Sequence, residues 1–253
     1  MVIRDVAWPE GTPCWIDLAV ADVEQAIEFY ADLFGWEAEV GDPETGGYAM
    51  CTVDGHAVAG IGRKASRDQP ALWTSYLAAD DVDKIAGRIA DAGGRVLTEP
   101  FDVADHGRMA IAADPLGATF GVWQAGRQVG TELANVPSAL VWNEQVSGDL
   151  EGAKHFYATV FGYTYDDVEV GPYAMVKVGD RVVGGLGVLG PEAPAGAPSH
   201  WRAYFAVAET DAAVARIAEL GGRVLYPPTD TPYGRLASAA DDQGAMFFVI
   251  QGG

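Results

Sequence analysis

Gly11-Thr12-Pro13-Cys14-Trp15-Ile16-Asp17-Leu18, then Asp22-Val23-Glu24-Gln25-Ala26-Ile27-Glu28-Phe29-Tyr30 and Leu33-Phe34-Gly35-Trp36, is the unit from which the fold is read. It predicts a short strand, then an amphipathic helix capped by Asp22, carrying the aromatic pair Phe29-Tyr30 and stopped at Gly35. The same signals return at Leu140-Val141-Trp142-Asn143-Glu144, Asp149, Phe156-Tyr157 and Phe161-Gly162-Tyr163. The offset is 127 throughout, from Trp15 to Trp142 and from Gly35 to Gly162. Further along, Tyr76-Leu77-Ala78-Ala79 matches Tyr204-Phe205-Ala206-Val207, and Asp114-Pro115-Leu116-Gly117-Ala118 matches Asp241-Asp242-Gln243-Gly244-Ala245. A repeat of this length makes the fold a duplication before any residue is given a role.

Working outward, the Asp54-Gly55 turn joins two apolar stretches into a hairpin, so residues 12–63 read as β-α-β-β-β. A second unit follows in the same order. It has a strand from Leu72, a helix opening at Asp80 or Asp81, a Gly93-Gly94 stop, and strands around Val96, Met109 and Phe120. Asp22 to Asp81 and Gly35 to Gly94 share one spacing, so each half is itself a weaker duplication. The expectation is an α+β protein of four βαβββ modules in two tandem domains, residues 1–126 and 138–253, joined by a linker at 127–137. The Pro- and Gly-rich loop at 190–198 reads as a connector or a mobile lid.

With 253 residues and 49% hydrophobic content, the chain can fill two cores. A net charge of −20 excludes a phosphate backbone or an anionic membrane as partner, and the acidic residues are spread over helices and loops as a solvated surface. Cys14 and Cys51 form no Cys-x-x-Cys pair and read as core residues. No signal peptide or membrane span is recognised, which predicts a cytoplasmic protein, monomer or homodimer.

The Asp-x-x-x-Ala-x-x-Phe-Tyr helix (Asp22, Ala26, Phe29, Tyr30; Asp149, Ala153, Phe156, Tyr157), the Phe-Gly stop and the Asp-Pro-x-Gly-Ala turn resemble the vicinal oxygen chelate superfamily. That superfamily holds glyoxalases, extradiol dioxygenases and bleomycin-resistance proteins. The Gly-Thr-Pro-x-Trp-x-Asp-Leu start and the Gly-Arg-Met-Ala stretch are similar to tandem glyoxalase-like proteins that accompany aromatic polyketide pathways. The resemblance implies that paired modules curl into cups holding a divalent metal on His, Gln or Glu side chains. It places those ligand positions at Trp15, Thr74 and Gly121 in the first half and at Trp142, Arg202 and Phe248 in the second. None is a His or a carboxylate, so no metal and no cofactor is expected.

Strand alternation then gives the cup lining. Asp17 and Glu144 join Trp15 and Trp142; Thr74 and Tyr76, and His200, Arg202 and Tyr204, come from the facing strands; Trp123, Met246 and Phe248 floor the cavities. Ile16, Leu18, Trp201 and Phe205 turn to the core. An aromatic hollow with few polar groups suits a flat aromatic or polyketide-like small molecule. The residues favour a metal-independent enzyme moving a proton (dehydration, cyclisation or isomerisation), with Glu144 or Asp17 as acid–base group, His200 or Tyr204 assisting and Arg202 facing a developing enolate. The alternative is a binding protein of the resistance type, and the third reading a metal-dependent glyoxalase or dioxygenase. Asp17 and Glu144 also have a structural reading, as partners of Arg108 or Arg235.

Overall fold

The computed structural model describes residues 3–42, 46–168, 171–190 and 197–252. The first module comprises β1 (Pro13–Val20), α1 (Val23–Phe34), β2 (Glu37–Val40), β3 (Ala49–Val53) and β4 (His56–Arg63). The second comprises β5 (Leu72–Ala78), α2 (Val82–Asp91), β6 (Arg95–Val103), β7 (Gly107–Ala113) and β8 (Thr119–Ala125). The third has β9 (Leu140–Ser147), α3 (Leu150–Phe161), β10 (Thr164–Asp167), β11 (Tyr173–Val178) and β12 (Arg181–Val188). The fourth has β13 (His200–Ala206), α4 (Thr210–Glu219), β14 (Arg223–Thr231), β15 (Gly234–Ala240) and β16 (Met246–Gln251).

Local chemistry fixes these boundaries. Asp22 accepts the Gln25 N–H at 3.1 Å and Asp149 accepts the Gly152 N–H at 2.9 Å, each satisfying a free donor of the first helical turn. Gly35 and Gly162 end the same helices at φ 72° and 71°, a backbone region that glycine enters without penalty. Asp81 rather than Asp80 caps α2. Asp54 and Gly55 both carry positive φ, as a two-residue hairpin turn requires.

Modules one and two share one eight-stranded sheet, in the order β2-β3-β4-β1-β5-β8-β7-β6, and modules three and four repeat it as β10-β11-β12-β9-β13-β16-β15-β14. In each, the two central strands are antiparallel and their outer neighbours run parallel to them, so both sheets are mixed. The cores cross the duplication. On α1, Tyr30 and Phe34 pack on Phe247 and Phe205 of the fourth module, at ring separations of 5.8 and 5.2 Å. On α3, Phe156, Tyr157 and Phe161 surround Phe120 of the second module. Ile16 and Leu18 lie in the first of these cores and Trp201 in the second. Between the central strands, Ser75 Oγ donates to Asn143 Oδ1 at 2.7 Å. Because Ser75 and Asn143 alternate with the cup residues, the sheets meet on their convex sides and the cups face away from each other.

The linker is more ordered than its composition predicts. The Thr131 N–H donates to Cys14 O at 2.6 Å and the Glu132 N–H to Ala57 O at 2.8 Å, while the Glu132 carboxylate accepts the Ala57 N–H at 3.0 Å. Leu133 is buried in the first core. Backbone bonds to two strand starts hold this segment, and they leave no periodic signal. Of the 190–198 loop, residues 191–196 lie outside the described residues. Arg108 pairs with Asp83 and Asp102, and Arg235 with Asp211 and Asp230, at the surface. The pairing of Asp17 or Glu144 with these arginines is therefore corrected: both carboxylates take other partners. No helix among the described residues is long and apolar enough to cross a membrane.

Candidate functional site

Register in the second sheet sets Glu144 opposite Arg202 and Trp142 opposite Tyr204 on the concave side. Glu144 is 8% exposed. The Tyr204 hydroxyl donates to Glu144 Oε2 at 2.5 Å, and Arg202 Nη1 lies 3.5 Å from the same oxygen. Burial pushes the Glu144 carboxyl pKa above its ordinary value, although the Tyr204 hydroxyl and the Arg202 guanidinium pull it partway back. Burial and the neighbouring carboxylate raise the Tyr204 pKa, so its proton stays on oxygen.

Phe248 stacks on Tyr204 at 4.4 Å and carries the Arg202 guanidinium 5.3 Å from its ring centre. His200 Nδ1 lies 2.9 Å from Pro198 O, and its Nε2 lies 3.4 Å from Arg202 Nε. Arginine can only donate, so Nε2 accepts and the ring proton resides on Nδ1, bonded to the Pro198 carbonyl. Burial holds the His200 pKa below its usual value. The neutral imidazole braces Arg202 in this geometry.

The first cup shares half of this arrangement. The Tyr76 hydroxyl donates to Asp17 Oδ2 at 2.9 Å, and Asp17 faces Thr74, which supplies no cation. Trp123 is buried and bonds Gln128 O through its indole N–H. Gly121, where the second cup has Phe248, is needed for space: a Cβ there would fall 2.1 Å from the Tyr76 ring. Burial raises the Asp17 pKa from 3.8 to about 7, with the Tyr76 hydroxyl opposing. The folded protein therefore keeps a proton that the unfolded chain releases, and stability falls as pH rises through that window. Asp17→Asn, which retains an acceptor for Tyr76, is expected to gain on the order of 2 kcal/mol over the parent at pH 8 and nothing near pH 4, as checked by urea unfolding. That figure is discounted from the full shift because Asp17 is only half-buried.

Two tyrosines belong to the cups and were not singled out from the sequence. Trp15 Nε1 donates to Tyr48 at 3.1 Å and Trp142 Nε1 to Tyr173 at 3.0 Å. Each tyrosine ring lies over a Gly-x-Gly strand. A Cβ on Gly60 or Gly185 would strike the hydroxyl, so those glycines make the room. The matched pairing of Tyr48 with Gly60 and Gly62, and of Tyr173 with Gly185 and Gly187, was the available signal. Met246, the first residue of β16, is 37% exposed. His106 and His155 are exposed, and His56 lies 3.7 Å from Glu132.

The donor set does not fit a divalent ion. Trp15, Thr74 and Gly121, and Trp142, Arg202 and Phe248, occupy the strand positions where this architecture places ligands, and the Arg202 guanidinium repels a cation. No cluster of three or more His, Cys, Asp or Glu side chains suited to a metal forms among the described residues.

Two tandem βαβββ-pair domains with concave, strand-lined sites define a class, and comparison agrees with it. The Glyoxalase/Bleomycin resistance protein/Dioxygenase superfamily model matches residues 13–122 and 139–248, and the chain belongs to that superfamily. Among individual relatives, CFP32 of Mycobacterium tuberculosis, provisionally named a glyoxylase, is 40% identical over 96% of this chain and 95% of its own length. The anthracycline biosynthesis protein DnrV of Streptomyces peucetius is also 40% identical, over 95% of this chain and 93% of its own. Among solved structures, the Mn(II)-bound glyoxalase of Novosphingobium aromaticivorans aligns with a TM-score of 0.66 at 18% identity, covering 96% of this chain and 83% of that one. The 2,3-dioxygenase LapB of Pseudomonas sp. KL28 gives the same TM-score at 16% identity, covering 98% and 94%. These last two speak for the fold alone.

Proposed function

We propose that this chain is a cytoplasmic enzyme of secondary metabolism that holds a flat, polyketide-like aromatic molecule in the second-domain cup and moves a proton on it without a metal ion. The observation that carries this reading is Glu144, a buried carboxyl of raised pKa bonded by Tyr204 and Arg202 where the fold otherwise gathers metal ligands. The anthracycline biosynthesis proteins DnrV and DauV, each 40% identical, support the substrate class.

In this reading the substrate lies on Trp142 and Phe248 with a carbonyl oxygen towards Arg202. Glu144 removes the proton from the adjacent carbon, and the charge that develops on the oxygen is met by the guanidinium. Returning the proton to another carbon completes an isomerisation. Delivering it to a departing β-hydroxyl completes a dehydration and leaves Glu144 ionised again. The first cup, with Thr74 in place of Arg202, has no group to meet that charge.

Sequestration without turnover is the second reading, favoured because Trp142, Glu144, His200, Arg202 and Tyr204 are already partnered at rest. Incubation with an anthracycline aglycone, followed by mass spectrometry, separates the two. The proposal expects saturable quenching of indole fluorescence together with an isomerised or dehydrated product. Quenching with quantitative recovery of the input compound supports sequestration.

A further inference from the structure

The two halves obey one symmetry up to a definite residue and then part. The Gly11 N–H bonds Ala78 O and the Ser138 N–H bonds Ala206 O; Tyr163 bonds Gly11 O and Trp36 bonds Ser138 O; the Thr12 N–H bonds Pro9 O and the Ala139 N–H bonds Val136 O. Each pair keeps the offset of 127 except the acceptors Ala78 and Ala206, which stand 128 apart. At the next position the paths separate. Asn135 takes φ 59° and sends the linker into the gap between the starts of β1 and β4. Trp8, its counterpart, has no positive φ, and residues 3–7 run elsewhere.

The matching gap in the second domain is open. A cavity of about 190 Å³ lies between the starts of β9 and β12, lined by Val141, Val178, Arg181 and Val182 together with Trp8 and Pro9. By strand register these stand where Cys14, Val53, His56 and Ala57 stand in the filled gap. The segment that would fill it by symmetry is also present: Arg4-Asp5-Val6-Ala7 aligns at offset 127 with Thr131-Glu132-Leu133-Ala134. Asp5 replaces the bonding Glu132, and Val6 replaces the buried Leu133. Val6 is 59% exposed, and the segment is attached through an Arg4 N–H bond to Glu132 O.

We infer that the gap between β9 and β12 is a receptor site for an extended acidic–aliphatic segment, and that its occupant is residues 4–7 of this chain, acting as a strap with Trp8 as the hinge. Docked as the linker is, Val6 enters the apolar gap. The Asp5 carboxylate meets the Val182 N–H and the Arg181 guanidinium, which takes the place of His56 beside Glu132. The left-handed conformation that Asn135 adopts readily is costly for tryptophan, which holds the strap in its other position. Trp142 lines the same cavity and is half-buried, whereas Trp15, beside the filled gap, is 4% exposed. Strap docking therefore covers an edge of the second cup.

The test is a pair of introduced cysteines, Val6→Cys with Val178→Cys, in the full chain under mild oxidation; the native Cys14 and Cys51 are both buried. An intramolecular disulfide is expected in part of the population, rising at least threefold when Trp8→Asn is added and falling at least threefold when Arg181→Glu is added. No disulfide in any background, or one indifferent to both added changes, overturns the strap. A disulfide that joins two chains shows a second copy's arm in the gap and overturns the intramolecular assignment. A synthetic peptide of residues 3–9, added to the full chain, in which the gap is open, is a check independent of enzymatic activity. Saturable binding that Arg181→Glu weakens at least tenfold is expected, and absence of binding up to millimolar peptide contradicts the receptor site.

Discussion

Glu144→Gln is expected to lower turnover of an aromatic polyketide substrate by about 10²- to 10⁴-fold while leaving its dissociation constant within about threefold of the parent. The amide keeps the shape and still accepts the Tyr204 hydroxyl, so the cup survives; the lost property is the ability to take and return a proton. Because burial raises the Glu144 pKa, kcat/KM of the parent should climb with pH through that raised value and then level. Activity that depends on an ionised base is lost as pH falls. Single-turnover kinetics beside an equilibrium titration separates the two effects. If both constants change together, Glu144 acts through packing.

Asp114→Ala is expected to destabilise the fold by about 3–5 kcal/mol, the largest stability effect of any single side chain outside the aromatic cores. Asp114 is 2% exposed. Its Oδ1 accepts the N–H groups of Leu116 and Ala118, and its Oδ2 accepts Tyr157 from α3 and Gln145 from β9. Removal strands four donors, two of which belong to the other domain. Asp241, which accepts Gln243 N–H, Ala245 N–H and Tyr30, ties the first and fourth modules in the same way. Asp241→Ala should follow closely, whereas exposed Asp102→Ala should cost less than about 1 kcal/mol. Denaturant unfolding monitored by tryptophan fluorescence decides this, and a loss under 1 kcal/mol for Asp114→Ala would mean that this carboxylate does not tie the domains together.

Much of the fold was legible because duplication writes each local signal more than once. Asp22 and Asp149 cap, Gly35 and Gly162 stop, and the Trp15–Leu18 alternation recurs in the third module. The exchange of cores was not legible. Tyr30 and Tyr157 read as the buried side of an amphipathic helix whichever sheet covers them, and the sequence does not state that the covering sheet belongs to the other domain. The lining of the cups followed from parity alone, which put Asp17, Glu144, Arg202 and Tyr204 on one side. Tyr48 and Tyr173 lie near strand starts, where parity is not yet defined, and only the facing glycines mark them. The linker's seat was hidden because backbone groups of Thr131 and Glu132 make it, and those are common to every residue.

The central claim is that a buried proton-carrying carboxyl has taken the place of a coordinated ion in the second cup. Its most direct test is the rate of turnover after exhaustive chelation, measured beside the metal content of the same sample. An unchanged rate with less than about a tenth of an equivalent of any divalent metal is predicted. Loss of activity that one equivalent of Mn(II), Fe(II) or Zn(II) restores would contradict it.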